Sequence, residues 1–221
     1  MALYVDTAYL EDIFSVTRTL PLAGVTTNPT ILLNAQRKGQ HLTAREVAQQ
    51  LLEHSNGLIF MQPSVKDEEQ AYQEALDYIE LAPDRIIPKI PMTEIGVRVA
   101  HRLKVQGHTL AFTAVTTISQ AYTAGLIGAD FIIPYYNRLI RSGVDAKERI
   151  AQMAKIYQAQ QFSTRIMAAS IKSSNEVAEA LLHGAHDLTI PPQILLDMIR
   201  DPETEQAVEK FEQDREKLST H

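Results

Sequence analysis

The sequence predicts an α/β protein, and more narrowly a single-domain TIM (β/α)8 barrel with an additional C-terminal helix. Short runs rich in β-branched and aromatic residues recur eight times, and segments with helical spacing of apolar residues separate them. Strict alternation of strands and helices indicates a parallel sheet, and eight repeats in 221 residues suit a TIM barrel. No linker or low-complexity tract marks a domain boundary. A flavodoxin-like sheet, which needs fewer strands, is the alternative fold.

The eight predicted strands are apolar at their beginning, and each of the first seven becomes polar towards its end. In order they are LYVDTA from Leu3, GVTTNP from Gly24, LIFMQPS from Leu58, RIIPKIPM from Arg85, TLAFTAV from Thr109, DFIIPYY from Asp130, RIMAASI from Arg165 and DLTI from Asp187.

Amphipathic segments between these strands predict helices, at residues 44–53, 68–81, 96–103, 146–158 and 175–182. The charged end of the chain carries a narrow apolar stripe of Ala207, Val208 and Phe211. It predicts a terminal helix that is either solvated or docked on a neighbouring subunit. We therefore divide the chain into a barrel at 1–200 and a helical extension at 201–221.

Composition excludes several classes of function. The net charge is −6 and no basic block is present, so a nucleic acid is not an expected partner. Without cysteine, the chain has no disulfides, thiolate nucleophiles or cysteine-based metal sites. The N-terminal residues do not resemble a signal peptide, and no apolar run is long enough to span a membrane. We expect a cytoplasmic protein without a membrane partner.

Metal and nucleotide cofactors have little support. His183 and His186 are three residues apart, but no carboxylate pattern accompanies them and they precede strand eight, at the opposite end of a barrel from its active site. The chain contains neither a P-loop nor a G-x-G-x-x-G motif after a strand. No metal and no organic cofactor is therefore expected.

The fourth strand contains the most informative residue. Lys89 lies between Pro88 and Pro91 in the apolar run RIIPKIPMT. A desolvated lysine has a lowered pKa, becomes nucleophilic near neutral pH and can form a Schiff base with a carbonyl carbon. The alternative is a structural lysine that reaches solvent or pairs with Asp6. Because proline donates no hydrogen bond to a sheet, we also expect an irregular strand around Lys89.

Other polar residues fall where the remaining strands end. Since the active site of a TIM barrel lies there, we expect a shared polar pocket. Asp6 is either a proton carrier or a helix cap. Arg138 and Ser170 suit a phosphate, although Arg138 has Asp145 as an alternative partner. The neutral side chains that we expect to hold one water are Gln62, Thr113 and Tyr135. The rest of the polar set is Thr26, Thr27, Asn28, Asn137 and Lys172.

Several motifs together resemble the small transaldolase family, and within it the fructose-6-phosphate aldolases. They are LYVDTA, LAGVTTNPT, PKIPMTEIG, TAVTTISQA, GADFIIPYYNR and MAASIK, and the resemblance extends from Leu3 to about Asp197. It implies a Schiff-base enzyme in which Lys89 is the nucleophile and Asp6 takes part in proton transfer. It also implies that Gln62, Thr113 and Tyr135 position a catalytic water.

The same resemblance implies the substrates and the assembly. Asn28 and Thr26 are expected to contact the donor, while Arg138 and Ser170 bind the phosphate of the acceptor. The expected substrates are dihydroxyacetone and a sugar phosphate, with fructose 6-phosphate cleaved to dihydroxyacetone and glyceraldehyde 3-phosphate. The resemblance further implies a homo-oligomer, typically a decamer, whose C-terminal helix crosses to a neighbour.

Two positions favour the aldolase branch. Transaldolases carry glutamate where Gln62 stands and phenylalanine where Tyr135 stands. Pro63, Pro88 and Thr116 depart from the family pattern and bear on the choice of donor. The alternatives are a transaldolase, a pyridoxal-phosphate enzyme on a barrel, and a non-catalytic sugar-phosphate-binding barrel.

Overall fold

The computed structural model describes residues 1–218 and shows a closed barrel of eight parallel strands paired in sequence order. The TIM-barrel prediction is confirmed and the flavodoxin-like alternative is wrong, because β8 pairs with β1 over Ala2–Asp187 to Val5–Ile190 and closes the sheet. The strands are β1 (Ala2–Asp6), β2 (Gly24–Thr26), β3 (Leu58–Met61), β4 (Ile86–Pro91), β5 (Ala111–Val115), β6 (Phe131–Pro134), β7 (Arg165–Ala168) and β8 (Asp187–Ile190).

Helices surround the barrel, and all five predicted helical segments are present, with small differences at their ends. Capping residues explain several of their starts: Thr43 forms a capping box with Glu46, and Thr93 and Asp145 each accept a backbone N–H. The helices are α1 (Leu10–Thr17), α2 (Pro29–Arg37), α3 (Ala44–His54), α4 (Glu68–Ile79), α5 (Glu94–Val105), α6 (Ile118–Ile127), α7 (Tyr136–Arg141), α8 (Ala146–Gln160), α9 (Ser174–Leu182), α10 (Pro192–Asp197) and α11 (Pro202–Leu218).

The amino-terminal end of the barrel is packed solid. Phe60 meets Tyr4 and Phe131 edge to face, with 5.4 Å between ring centroids in both pairs. The fully buried carboxylate of Asp187 accepts two hydrogen bonds from the Arg165 guanidinium, at 2.6 and 2.7 Å. Since these groups fill the lower barrel, an open cavity in its interior is confined to the opposite, carboxyl-terminal end.

The expected irregularity around Lys89 is absent. β4 is one continuous strand that pairs with β3 up to Pro88 and with β5 from Lys89 onwards. A proline removes one hydrogen-bond donor but keeps an extended backbone, so its neighbours maintain the pairing. The register shift lies instead in β5, where Ala114 has a φ of 58° between Thr113 and Val115.

The C-terminal segment forms α11, and none of its described residues is buried. Val208 and Phe211, from the predicted apolar stripe, are 51% and 65% exposed. The last part of the predicted extension, residues 219–221, lies outside the described residues. No helix within residues 1–218 is both long and apolar enough to cross a membrane. The cytoplasmic location stays a prediction.

Candidate active site

A cavity of about 540 Å³ opens at the carboxyl-terminal end of the barrel. All the residues predicted to act in catalysis or substrate binding, except Thr26, line this cavity, together with Arg141 and Lys172. The lining side chains from the prediction are Asp6, Asn28, Gln62, Lys89, Thr113, Tyr135, Arg138 and Ser170. They come from strands or from the segments that follow them, Arg138 from α7 after β6, so the parallel barrel brings together residues that are far apart in sequence.

Lys89 is a buried residue that lines the cavity. Its side chain points inward from β4 and the residue is only 2% exposed. Burial disfavours the ammonium form and lowers the pKa of Lys89 to about 8, while the nearby charge of Asp6 acts in the opposite direction. No side chain among residues 1–218 accepts a hydrogen bond from Lys89 Nζ. The amine therefore faces the cavity without being held by a structural partner.

Asp6 lines the same cavity as Lys89, and the charge of each group shifts the pKa of the other. Burial raises the pKa of the Asp6 carboxyl, whereas the charge of Lys89 and the hydrogen bond from Thr26 lower it. Within the described chain the two groups are not in direct ion-pair contact, so a structural Asp6–Lys89 salt bridge is absent. The helix-cap alternative for Asp6 is also wrong, because the N-cap of α1 is Tyr9.

Thr26 requires a correction. Its hydroxyl is fully buried behind Asp6 and donates to Asp6 Oδ1 at 2.6 Å, so it does not reach the cavity as a substrate-binding group would. The Thr26 Oγ1 atom also lies 2.5 Å from Thr189 Oγ1. Because the Thr26 proton goes to Asp6, Thr189 is the donor of this second bond. Sequence reasoning missed Thr189, whose signal was a lone hydroxyl inside the apolar strand β8.

The neutral side chains lie together. Thr113 Oγ1 donates to the Tyr135 hydroxyl oxygen at 3.0 Å. This leaves the proton of Tyr135 available to the cavity. Gln62 also lines the cavity and forms no side-chain hydrogen bond with a described residue. Three polar groups with free hydrogen-bonding capacity suit the binding of one water molecule or of a substrate hydroxyl.

The ends of β6 and β7 contribute positive charge. The Arg138 guanidinium stacks over the Tyr135 ring, 4.6 Å from its centroid, instead of pairing with Asp145, which caps α8. Ser170 lines the same wall with a left-handed backbone, at a φ of 61°. Such a conformation is strained for serine and is common at functional sites. Arg141 is the last residue of α7 and also lines the cavity.

Asn28 combines two tasks. Its side-chain oxygen accepts the Ile31 N–H at 3.0 Å and caps α2. This contact fixes the side chain at the cavity wall and leaves its NH₂ group free for a ligand.

Two members of the polar set face elsewhere. Thr27 donates to the Phe60 carbonyl at 2.8 Å, and Asn137 donates to Glu176 at 3.1 Å. They support the loops and do not line the cavity.

The side chains of His183 and His186 contact backbone groups and not a common ligand site. His186 Nδ1 accepts the Ile166 N–H at 3.0 Å, and His183 Nδ1 lies 2.7 Å from the Glu179 carbonyl oxygen. Within residues 1–218 no group of three or more His, Cys, Asp or Glu side chains is arranged to hold a metal ion.

This geometry provides a nucleophilic amine, a carboxyl group that retains a proton more readily than usual, a hydroxyl cluster and cations suited to an anion. A similar barrel occurs in inosine 5'-monophosphate dehydrogenase from Legionella pneumophila, with a TM-score of 0.62. That similarity covers 88% of this chain and 59% of the dehydrogenase at 15% identity, and it shows the fold alone.

Sequence comparisons identify the family. A "Probable transaldolase" of Alkaliphilus metalliredigens is 34% identical over 218 residues, covering 99% of each chain. Another from Chelativorans sp. is 33% identical over 211 residues, covering 96% of this chain and 94% of the relative. The family model described as transaldolase/fructose-6-phosphate aldolase matches residues 3–221. The chain therefore belongs to the transaldolase/fructose-6-phosphate aldolase family.

Proposed function

We propose that the protein is a metal-independent Schiff-base aldolase that reversibly cleaves fructose 6-phosphate to dihydroxyacetone and glyceraldehyde 3-phosphate. The observation that carries this proposal is the buried Lys89 amine, whose lowered pKa and cavity position suit attack on a ketone. With a pKa of about 8, about one amine in ten is neutral at pH 7, against about one in three thousand for an unperturbed lysine.

Cleavage begins when the neutral Lys89 amine adds to the C2 carbonyl carbon of the substrate. Loss of water from the resulting carbinolamine gives a protonated imine. A base then removes the proton of the C4 hydroxyl, the C3–C4 bond breaks, and its electron pair moves to the imine nitrogen. The products are an enamine on Lys89 and free glyceraldehyde 3-phosphate. Protonation of the enamine carbon and hydrolysis of the imine release dihydroxyacetone and restore the lysine.

Proton transfer in these steps is assigned to the groups around the amine. A water bound by Gln62, Thr113 and Tyr135 carries protons, with Tyr135 as the acid and base member. Asp6 takes part because burial raises its pKa and favours a carboxyl that can hold and return a proton.

Substrate binding is divided between the two sides of the cavity. Asn28 binds donor hydroxyls, and Arg138 with Ser170 binds the acceptor phosphate through the guanidinium fork and the hydroxyl. Thr26 is assigned a positioning role, because its hydroxyl orients the Asp6 carboxylate.

A transaldolase is the second candidate, since the relatives from Alkaliphilus and Chelativorans are both named probable transaldolases. Such an enzyme passes the enamine to another aldose phosphate instead of hydrolysing it. We favour the aldolase because both Gln62 and Tyr135 are the residues of the aldolase branch, and both face the cavity. A hydroxyl at position 135 helps to bind the water that hydrolysis requires.

Borohydride trapping tests the Schiff base. Incubation with dihydroxyacetone and borohydride should add the reduced donor to the peptide that contains Lys89, as read by peptide mass. Lys89→Met should form no adduct and have no measurable turnover, since it removes the only buried lysine among residues 1–218. The matched control is Lys66→Met in an exposed loop, which should behave as wild type. An adduct on another lysine, or binding without turnover in the wild type, would contradict the proposal.

The pH dependence of adduct formation tests the electrostatics of the amine. With cyanoborohydride as the trap, the initial rate should rise with pH through about 8, because only the neutral amine attacks. Asp6→Asn removes the charge that raises the Lys89 pKa, so the midpoint of this rise should move to lower pH. Asp84→Asn, at an exposed position, should leave the midpoint unchanged. A midpoint that moves upward in Asp6→Asn refutes the proposed coupling.

Substitution at Tyr135 tests the choice between hydrolysis and transfer. The ratio of dihydroxyacetone released to dihydroxyacetone transferred to erythrose 4-phosphate should fall about a hundredfold in Tyr135→Phe, because one general acid–base group contributes about 10²- to 10⁴-fold. Both products are measured in one assay. Tyr122→Phe, outside the cavity, is the control. A wild type that only transfers the donor would favour the transaldolase.

We also propose that α11 docks on a second copy of the chain, within a homo-oligomer that the family resemblance suggests is a decamer. The helix buries none of its described residues on its own barrel, yet it keeps an apolar stripe. Phe211→Asp should therefore lower the molar mass measured by light scattering. Gln213→Asp, which changes the opposite side of α11, should not. An unchanged mass in Phe211→Asp would disprove this docking.

A further inference from the structure

Three basic side chains besides Lys89 line the cavity: Arg138 and Arg141 from α7, and Lys172 after β7. Arg138 and Arg141 are three residues apart on the same helix, so they lie on neighbouring positions of one helix face. Lys172 lines the same cavity. The proposed function uses only Arg138 of these three, which leaves two cations of the cavity without a role.

Arg138 and Arg141 lack the acidic partners that several arginines elsewhere in the chain have. Arg98 and Arg102 pair with glutamates of α4, and Arg165 pairs with the buried Asp187. Within residues 1–218, neither Arg138 nor Arg141 forms a salt bridge or a side-chain hydrogen bond. The chain has 27 acidic residues against 21 basic ones, so acids for pairing are plentiful. Within residues 1–218, Arg18 and Arg37 are exposed and unpaired too, so what distinguishes Arg138 and Arg141 is that both line one cavity, which suits an anionic ligand.

The charge balance of the cavity supports the same ligand. Asp6 is the one carboxylate among the described lining residues, against the basic side chains of Lys89, Arg138, Arg141 and Lys172. The cavity therefore carries a surplus of basic side chains in a protein whose net charge is −6. A cleft lined by one sign of charge concentrates the field and raises the local concentration of oppositely charged substrates. A phosphate monoester carries close to two negative charges at neutral pH, more than a single arginine balances.

We propose that Arg141 is a specificity-determining residue which, with Arg138 and Lys172, selects acceptor aldehydes that carry a dianionic phosphate. This inference rests on the proposed aldol reaction and adds a residue to it. The guanidinium of Arg141 acts at the end of the acceptor that is remote from the reacting carbonyl. It should therefore affect binding and capture of the acceptor, but not the formation of the imine on Lys89.

The test compares two acceptors in the synthetic direction, with dihydroxyacetone as donor. For Arg141→Ala, kcat/KM with glyceraldehyde 3-phosphate should fall about tenfold, the scale of one charge-assisted hydrogen bond. With neutral glyceraldehyde it should not change. Arg141→Lys should recover part of the loss. Arg37→Ala is the matched control, because Arg37 is exposed on α2 and lines no described cavity.

Two kinetic results would overturn the proposal. Equal losses with both acceptors would mean that Arg141 supports the local fold, and no loss with either would mean that it is an ordinary surface arginine. Calorimetry with inorganic phosphate alone provides a readout that does not need the reaction. Arg141→Ala should bind phosphate more weakly than wild type and Arg37→Ala equally well. Failure to trap an adduct on Lys89 would refute the aldolase, whereas unchanged phosphate binding would refute only the role of Arg141.

Discussion

Desolvation of the Lys89 ammonium is the interaction on which the rest of the site depends. Burial lowers the pKa of this group to about 8, and Asp6 alone opposes the shift. An adjacent carboxylate within hydrogen-bond distance would hold the lysine in its charged form, as in the ion pairs on the outer helices. The Asp6 carboxyl is instead hydrogen-bonded to Thr26, whose hydroxyl donates to its oxygen at 2.6 Å. The charge of Asp6 thus raises the Lys89 pKa without forming an ion pair that would keep the amine protonated.

The barrel places the close packing that stabilises the fold and the unpaired charges of the site at opposite ends. At the amino-terminal end, the aromatic contacts of Phe60 and the Arg165–Asp187 pair fill the interior. There every buried charge has a partner, and the structure gains stability from close packing. At the carboxyl-terminal end, Lys89 and the cations of α7 lack such partners. Stability is concentrated in one end of the barrel and chemical reactivity in the other.

Much of the fold and of the site could be predicted from the sequence, because both follow from local patterns. Eight β-rich runs, of which the first seven end polar, predicted all eight strands, and the parallel barrel then placed Lys89, Gln62 and Tyr135 around one cavity. The direction of individual side chains could not be predicted in this way. Thr26 and Asn28 are two residues apart, yet only Asn28 reaches the cavity, since Thr26 is turned towards Asp6 and Thr189.

The prolines of β4 and the register shift in β5 show why residue types alone predicted the irregularity in the wrong strand. Pro88 and Pro91 indicated a disturbed β4, but an extended proline fits a strand whose neighbours carry the pairing. The disturbance lies at Ala114, where nothing in the residue type suggests a left-handed backbone. Its cause is therefore tertiary: β5 must pair with β4 up to Thr113 and then advance to meet Pro134 of β6. The register shift leaves Thr113 within reach of the Tyr135 hydroxyl, so closure of the barrel and assembly of the hydroxyl cluster are one geometric requirement.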